Sequence, residues 1–272
     1  MRQSENPDFV EALARGLDVI RAMGGADRAL SLADVAERSG LARPTARRIL
    51  ITLTELGYVR SADARFALTA RVLELGMAYI QSSNVWELTR PHLASLAEAT
   101  SESCSIAQLD GSDIVYVSRV AVPKLVTLSV VIGTRFPAVQ TSLGKVLLAA
   151  LDDEELDRVL QIPSRSAIAA SWQPGVDEIR SVLAQVRQQG WALTDQQLAP
   201  AIRSIAAPVR DSAGAVVASV NVNANATQTP IRELVERFLP QLLECAAAIS
   251  RDWALWESRP VVELGSAAST SA

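Results

Sequence analysis

The stretch from Ser31 to Leu68 is punctuated in a way that few folds accommodate. Ser31 opens a helix with Asp34 three residues on, the spacing of a capping box, and Leu32, Val35 and Ala36 give it an apolar face. Ser39-Gly40-Leu41 breaks it. A second apolar series, Ala46, Ile49, Leu50, Leu53 and Leu56, recurs at helical spacing from about Arg43 to Leu56. Pro44 is tolerated in the first turn of that helix, and Gly57 ends it. Tyr58-Val59-Arg60 and Arg65-Phe66-Ala67-Leu68 then flank the polar turn Ser61–Ala64, which predicts a two-stranded ribbon. Upstream, Phe9, Leu13, Leu17, Ile20 and Met23 mark an earlier amphipathic helix over 9–23. Helix, helix, tight turn, helix and hairpin is the order of a winged helix-turn-helix, whose third helix enters a DNA major groove.

Charge placement points the same way. The whole chain of 272 residues carries a formal net charge of −4, which by itself argues against a polyanion partner. Yet residues 41–71 hold six arginines, Arg43, Arg47, Arg48, Arg60, Arg65 and Arg71, against only Glu55 and Asp63. A local basic cluster, rather than the overall balance, is what a phosphate backbone meets. Arg43, Pro44, Thr45, Arg47 and Arg48 populate the leading turns of the third helix, and Arg60 and Arg65 flank the ribbon. A solvated helix face would explain the charge alone, but it would not explain the coincidence with the order of elements. These seven residues are the candidate DNA contacts.

Several chemistries are excluded by scarcity. There is one histidine, His92, and two cysteines, Cys104 and Cys245, far apart in the chain. No CxxC or HxxxH supplies a metal site, so neither a metal nor a cofactor is expected. Nucleophilic catalysis would have to rest on His92, which follows Pro91 among Leu88, Leu93 and Leu96 and reads as structural. Gly144-Lys145 resembles the end of a phosphate-binding loop, but Val139 and Val146 stand where glycine and serine or threonine belong. No apolar run approaches the roughly 18–20 residues of a membrane span, and the polar start is no signal peptide. A cytoplasmic protein without a membrane partner is expected, and the sequon at Asn225 carries no weight there.

Beyond the ribbon, residues 71–100 read as a stiff helical linker, broken at Ser82-Ser83-Asn84. Period-two alternation then begins. Strands are expected at Ser103–Leu109, Ile114–Val120, Leu125–Val131, Trp191–Asp195, Ser204–Val209 and Ala215–Asn223, with 133–142 irregular. Helices are expected at 143–160, 179–189 and 230–256. The expected class is therefore α+β. A winged helix-turn-helix (9–70) joins through a helical linker (71–100) to a sensor-like domain with an antiparallel sheet (101–257), and a Ser/Ala-rich tail (258–272) is expected to be disordered.

One strand in the sensor-like domain hints at a ligand. Its alternation places Ser219, Asn221 and Asn223 on one face. Such a face is commonly just wet. However, Ser204 begins a neighbouring strand, and Thr141-Ser142-Leu143-Gly144 opens a helix whose N-terminus suits a carboxylate. Convergence of these groups, with Leu128 and Val130 as apolar walls, would make a pocket for a small organic acid.

The chain resembles the IclR family of bacterial transcriptional regulators over roughly 9–257. The segments that carry the resemblance are LARGLDVIRAM (13–23), LADVAERSGLARPTARRILITLTELGYVR (32–60), LDGSDIVYVSRV (109–120), GTRFPAVQTSLGKVLLAAL (133–151) and IRSIAAPVRDSAGAVVASVNVNA (202–224). Within the family it is most similar to the branch governing the β-ketoadipate pathway of aromatic-acid catabolism, through DFVEALARGLDVI and TARRIL. The resemblance implies a GAF-like effector domain, homodimers or homotetramers on palindromic double-stranded operators, and an effector such as protocatechuate or β-ketoadipate. It places the effector site at Ser142, Leu143, Gly144, Thr194, Ser204, Asn221 and Asn223, with Asp195 as the nearest acid.

The chain departs from the family pattern where Asn221 and Asn223 replace serines, where Ala42 replaces a capping Ser or Thr, and where Ala199-Pro200-Ala201 replaces Glu-Pro-Gly. The expected function is a ligand-responsive regulator of a catabolic operon, not an enzyme. A regulator of another organic-acid pathway, a DNA-binding adaptor without a ligand, and a cofactor-free hydrolase using Cys104 or a serine are the competing readings.

Overall fold

The computed structural model describes residues 6–82, 85–123 and 130–259. The chain forms two compact units, Met1–Ser83 and Asn84–Ala272.

The first unit contains α1 (Glu11–Met23), β1 (Leu30–Ser31), α2 (Leu32–Ser39), α3 (Arg43–Glu55), β2 (Val59–Ala62), β3 (Arg65–Leu68) and α4 (Leu73–Ser82). The capping box of α2 forms as its spacing requires: Asp34 N–H donates to Ser31 Oγ at 3.2 Å, and Ser31 N–H donates to Asp34 at 2.9 Å. Gly40 closes α2 in the left-handed conformation at φ +67°. The ribbon turns on Asp63 and Ala64, both at positive φ, as a two-residue hairpin between right-twisted strands demands. β1 adds a third strand beside β3, in the order β1-β3-β2. The core is Val19, Met23, Leu30, Val35, Leu50, Leu53 and Val59.

The face of α1 differs from expectation. Leu13 is 64% exposed and Leu17 37%, while Val19 and Met23 are buried. A stripe drawn from Phe9 to Met23 is wider than the neighbouring α2 and α3 can cover.

Of the stretch read as a linker, α4 falls in the first unit and α5 (Val85–Thr100) in the second, where Val85, Trp86, Leu93 and Leu96 join the core. The second unit continues with β4 (Ser103–Asp110), β5 (Asp113–Val120), β6 (Arg135–Pro137), α6 (Ser142–Ala149), α7 (Asp153–Leu160), α8 (Val176–Gln189), β7 (Ala192–Asp195), β8 (Ile202–Arg210) and β9 (Val216–Asn225). A short α9 (Ile231–Glu233), a π-helical turn (Leu234–Phe238) and α10 (Leu239–Glu257) complete it. Pro240, which has no N–H to donate, stands two residues after the π turn that shifts the hydrogen-bond register.

Six strands form one antiparallel sheet in the order β6-β5-β4-β9-β8-β7. Alternation sends Ile205, Ala207, Val209, Val220 and Val222 into a core shared with α5 and α10. Ala206 and Ala107 face the opposite side and pack with α6 and α8. Helices thus cover both faces. The strand expected at Leu125–Val131 lies mostly outside the described residues, and its described end, Val130 and Val131, is not strand. Among the described residues the strand beside β5 at the sheet's edge is β6, inside the stretch read as irregular. The helix expected across 143–160 divides at Asp152, whose side chain caps α7 by accepting from Glu155 N–H at 2.7 Å.

Candidate functional site

In the first unit the candidate DNA contacts lie on α3 and the ribbon. Arg43, Pro44, Arg47, Arg48, Arg60 and Arg65 are exposed, and Thr45 is half-buried. Among the described residues, Arg43, Arg47, Arg48 and Arg60 have neither an ion pair nor a side-chain hydrogen bond. An unengaged guanidinium on a helix held by Ala46, Leu50 and Leu53 is free to meet a phosphate or a guanine edge. Arg65 is partly committed, donating to the Ala29 carbonyl at 3.2 Å. Arg71 is committed outright: it donates to the Leu56 carbonyl at 2.9 Å, pairs with Glu74 and lies over the Tyr58 ring. Ala42 precedes α3 without a side-chain cap, and Pro44 occupies the first turn.

In the second unit, the polar face of β9 is covered rather than wet. Ser219 is fully buried and donates to the Leu143 carbonyl of α6 at 2.9 Å. Next to it, Ser142 and Ser204 share a hydrogen bond at 2.7 Å, and Thr194 meets Ser204 at 2.9 Å. Thr194, Ser204, Asn221 and Asn223 line one cavity together with Tyr116, Val130, Phe136, Gln140, Thr141, Leu198 and Ile202. The cavity holds only about 20 Å³, little more than a water molecule requires. Two of its lining atoms, Asn221 Oδ1 and Gln140 Oε1, are buried without a hydrogen-bond partner.

Other expected members play different parts. Leu128 lies outside the described residues. Leu143 is a core residue, fully buried beneath the sheet. Gly144 is required by packing, because a Cβ there would stand 2.1 Å from the Ala138 carbonyl oxygen. Its N–H is used by Thr141, which caps α6 at 2.9 Å. Asp195 does not line the cavity: Arg203 Nε donates to its carboxylate at 2.8 Å, because the two face each other in the β7–β8 register. Tyr116, Phe136, Gln140, Leu198 and Ile202 are wall residues that the sequence did not single out. They come from separate strands and turns and share no local pattern.

Beside the cavity, Lys145 of α6 is buried, donates to Gln197 Oε1 and sits 4.6 Å from the centre of the Trp172 ring. Burial is the main influence on its ammonium, pushing its pKa down to about 8. The thiols a cysteine hydrolase would need are held protonated. Burial pushes the thiols of Cys104 and Cys245 up to about 12, and His92 is engaged by Asp252 at 2.7 Å between α5 and α10. No described helix is long and apolar enough to cross a membrane.

A helix-turn-helix unit with unpaired arginines on its third helix, followed by a sheet domain with a small buried polar cavity, defines a DNA-binding transcriptional regulator. The chain belongs to the IclR family. Residues 12–63 match the IclR helix-turn-helix domain and residues 77–251 match the bacterial transcriptional regulator IclR C-terminal model. The chain is 38% identical over 248 residues to the Pca regulon regulatory protein of Pseudomonas putida, covering 91% of this chain and 84% of that protein. A transcriptional-regulator structure from Rhodococcus sp. RHA1 superposes with a TM-score of 0.77 at 42% identity, over 91% of this chain and 100% of that one. An IclR homologue of Microbacterium hydrocarbonoxydans, solved in complex with 4-hydroxybenzoate, shares the fold at a TM-score of 0.74 and 22% identity, over 90% and 99% of the two chains.

Proposed function

We propose that this regulator controls an operon for aromatic-acid breakdown and responds to a small organic acid bound in its second unit. The observation that carries the DNA half is the set of unpaired, exposed arginines on α3 and the ribbon. Arg43, Thr45, Arg47 and Arg48 read bases and phosphates in the major groove, while Arg60 and Arg65 hold the ribbon to the backbone. The effector half is supported by the cavity that gathers Thr194, Ser204, Asn221 and Asn223 beside Ser142 at the start of α6. Hydroxyls and amides both donate and accept, so they suit an oxygen-rich acid such as protocatechuate or β-ketoadipate.

Benzene fits an engineered cavity of about 150 Å³, so the observed space of about 20 Å³ is that of a closed state. An effector must move the walls to enter. That gives it the unequal affinity for two conformations which any ligand-driven switch requires. The leucines exposed on α1 and a palindromic operator suit a homodimer or homotetramer, and the protein works in the cytoplasm. A DNA-binding adaptor without an effector is the second reading, favoured by the same small cavity.

Sequencing of genomic fragments retained by the full-length protein identifies the operator. Titration with protocatechuate and β-ketoadipate then separates the two readings. Fragments near aromatic-catabolic genes, released or tightened by one acid, are expected. Retention of random DNA only ends the first half of the proposal. Flat isotherms with both acids favour the adaptor.

A further inference from the structure

Three buried atoms in and beside the cavity lack partners, and together they describe one kind of molecule. Asn221 Oδ1 and Gln140 Oε1 are acceptors, whereas Arg119 Nε is a donor. Arg119 of β5 stands opposite Ser105 of β4, which in turn stands opposite Asn221 of β9, so the three side chains cross one face of the sheet in line. Nη1 of Arg119 donates to the fully buried Ser105 hydroxyl at 2.9 Å. Tyr116, three residues earlier on the same strand, lines the cavity.

Among the described residues, Arg119 carries a charge with no counter-charge. The ionisable groups that act on it are Tyr116 and Cys104, and burial pushes both of these up to about 12, so each is neutral at physiological pH. Among the described residues no carboxylate pairs with Arg119. By contrast Arg135 is held by Asp110 and Asp113, and Arg203 by Asp195. A half-buried guanidinium without an anion is costly, and a carboxylate received in its planar fork relieves that cost through charge-assisted hydrogen bonds.

The cavity itself, beside which Arg119 stands, asks for something different. Gln140 commits its amide nitrogen to the Trp172 carbonyl at 3.1 Å, leaving its oxygen to accept. Two orphaned acceptors need hydroxyl donors, which a doubly ionised dicarboxylate does not have. None of the lining side chains is charged, so a second carboxylate would lie among neutral groups. In the cavity lining, Tyr116 and Phe136 meet edge to face at a centroid distance of 5.7 Å, an aromatic wall against which a flat ring packs.

We propose that Arg119 receives the single carboxylate of the effector while Asn221 or Gln140 accepts from a ring hydroxyl, so that the effector is a hydroxylated aromatic monocarboxylic acid and not a dicarboxylic acid. This rests on the sensing role proposed above. The test is calorimetric titration of the full-length protein, wild type, Arg119→Gln and Arg119→Lys, with 4-hydroxybenzoate, its uncharged amide, unsubstituted benzoate and adipate. Wild type should bind 4-hydroxybenzoate at least tenfold more tightly than the other three. Arg119→Gln should lose at least tenfold for the acid and bind acid and amide alike, and Arg119→Lys should recover part of the preference.

Thermal melts report whether Arg119→Gln folds. If it does not, a reduced acid-to-amide ratio in Arg119→Lys still supports the assignment. A wild-type ratio in either folded variant overturns it. Adipate binding in place of 4-hydroxybenzoate overturns the ligand class and leaves sensing intact. Wild type that binds none of the four overturns both this inference and the sensing of such acids.

Discussion

Nε of Arg203 donates to Oδ1 of Asp195 at 2.8 Å, and Nη1 of the same side chain donates to the Thr229 carbonyl at 2.7 Å. The acid nearest the cavity in sequence is therefore a structural counter-ion. Asp195→Ala would leave the buried Arg203 guanidinium unpaired. Breaking a fully buried pair costs ~3–5 kcal/mol; with a third of the Asp195 side chain exposed, we expect about 2 kcal/mol. Urea unfolding measures the loss, and effector affinity in the folded variant should be unchanged. A large affinity loss at full stability would return Asp195 to the site.

Arg47→Ala and Arg48→Ala should each weaken operator binding, by about 1–3 kcal/mol where the side chain reads a guanine. With about six phosphate contacts per DNA-binding unit, log affinity against log salt should fall with a slope near −5, shallower in a variant that has lost a phosphate contact. Fluorescence anisotropy across a salt series reports both. Wild-type affinity in the two variants would remove α3 from the interface.

Ala64 occupies the ribbon turn at φ +57°, where a Cβ is strained. Ala64→Gly should stabilise the first unit by about 1 kcal/mol. A higher melting temperature with unchanged DNA binding is the expected pair of results, and a lower one would contradict the strain.

Gly144→Ala drives a methyl group into the Ala138 backbone, which cannot give way as a flexible side chain can. A loss of roughly 3 kcal/mol or more is expected, together with loss of effector response, since Ala138 and Gly144 position Thr141 and Ser142. Near wild-type stability in a chemical melt would show that α6 can slide.

The buried Lys145 titrates near 8 when folded, against about 10.5 ordinarily. Between these values the unfolded chain binds more protons, so stability should rise with pH from about 8 to 10.5 and be flat below. Lys145→Met removes the titrating group. The stability difference between wild type and variant should therefore shift in favour of wild type between pH 7.5 and 9.5. A pH-independent difference would mean that Lys145 is solvated.

The helix-turn-helix was legible because its signals are local. The capping box spans Ser31 to Asp34, the turn needs Gly40, and the arginines of α3 follow one another within two turns. Each is decided by neighbours a few residues away, so propensity and pattern suffice. The short strand β6 went unread because an edge pairs on one side only and carries a weak alternation. Exposure of Leu13 and Leu17 was equally hidden, since periodicity reports that a face is apolar and not how much of it the neighbouring helices can reach.

By itself, the amino-acid order determined the elements, the basic cluster and the alternation that puts Ser219, Asn221 and Asn223 side by side. Only the tertiary structure decided what that alternation means. Ser142 and Ser204, 62 residues apart, meet because α6 lies across β8 and β9. The same placement buries Ser219, walls a cavity with Tyr116, Phe136 and Gln140, and leaves Asp195 to Arg203. A strand's two faces are equivalent until something packs on one of them, and what packs there is fixed by long-range burial, which no short window of sequence contains.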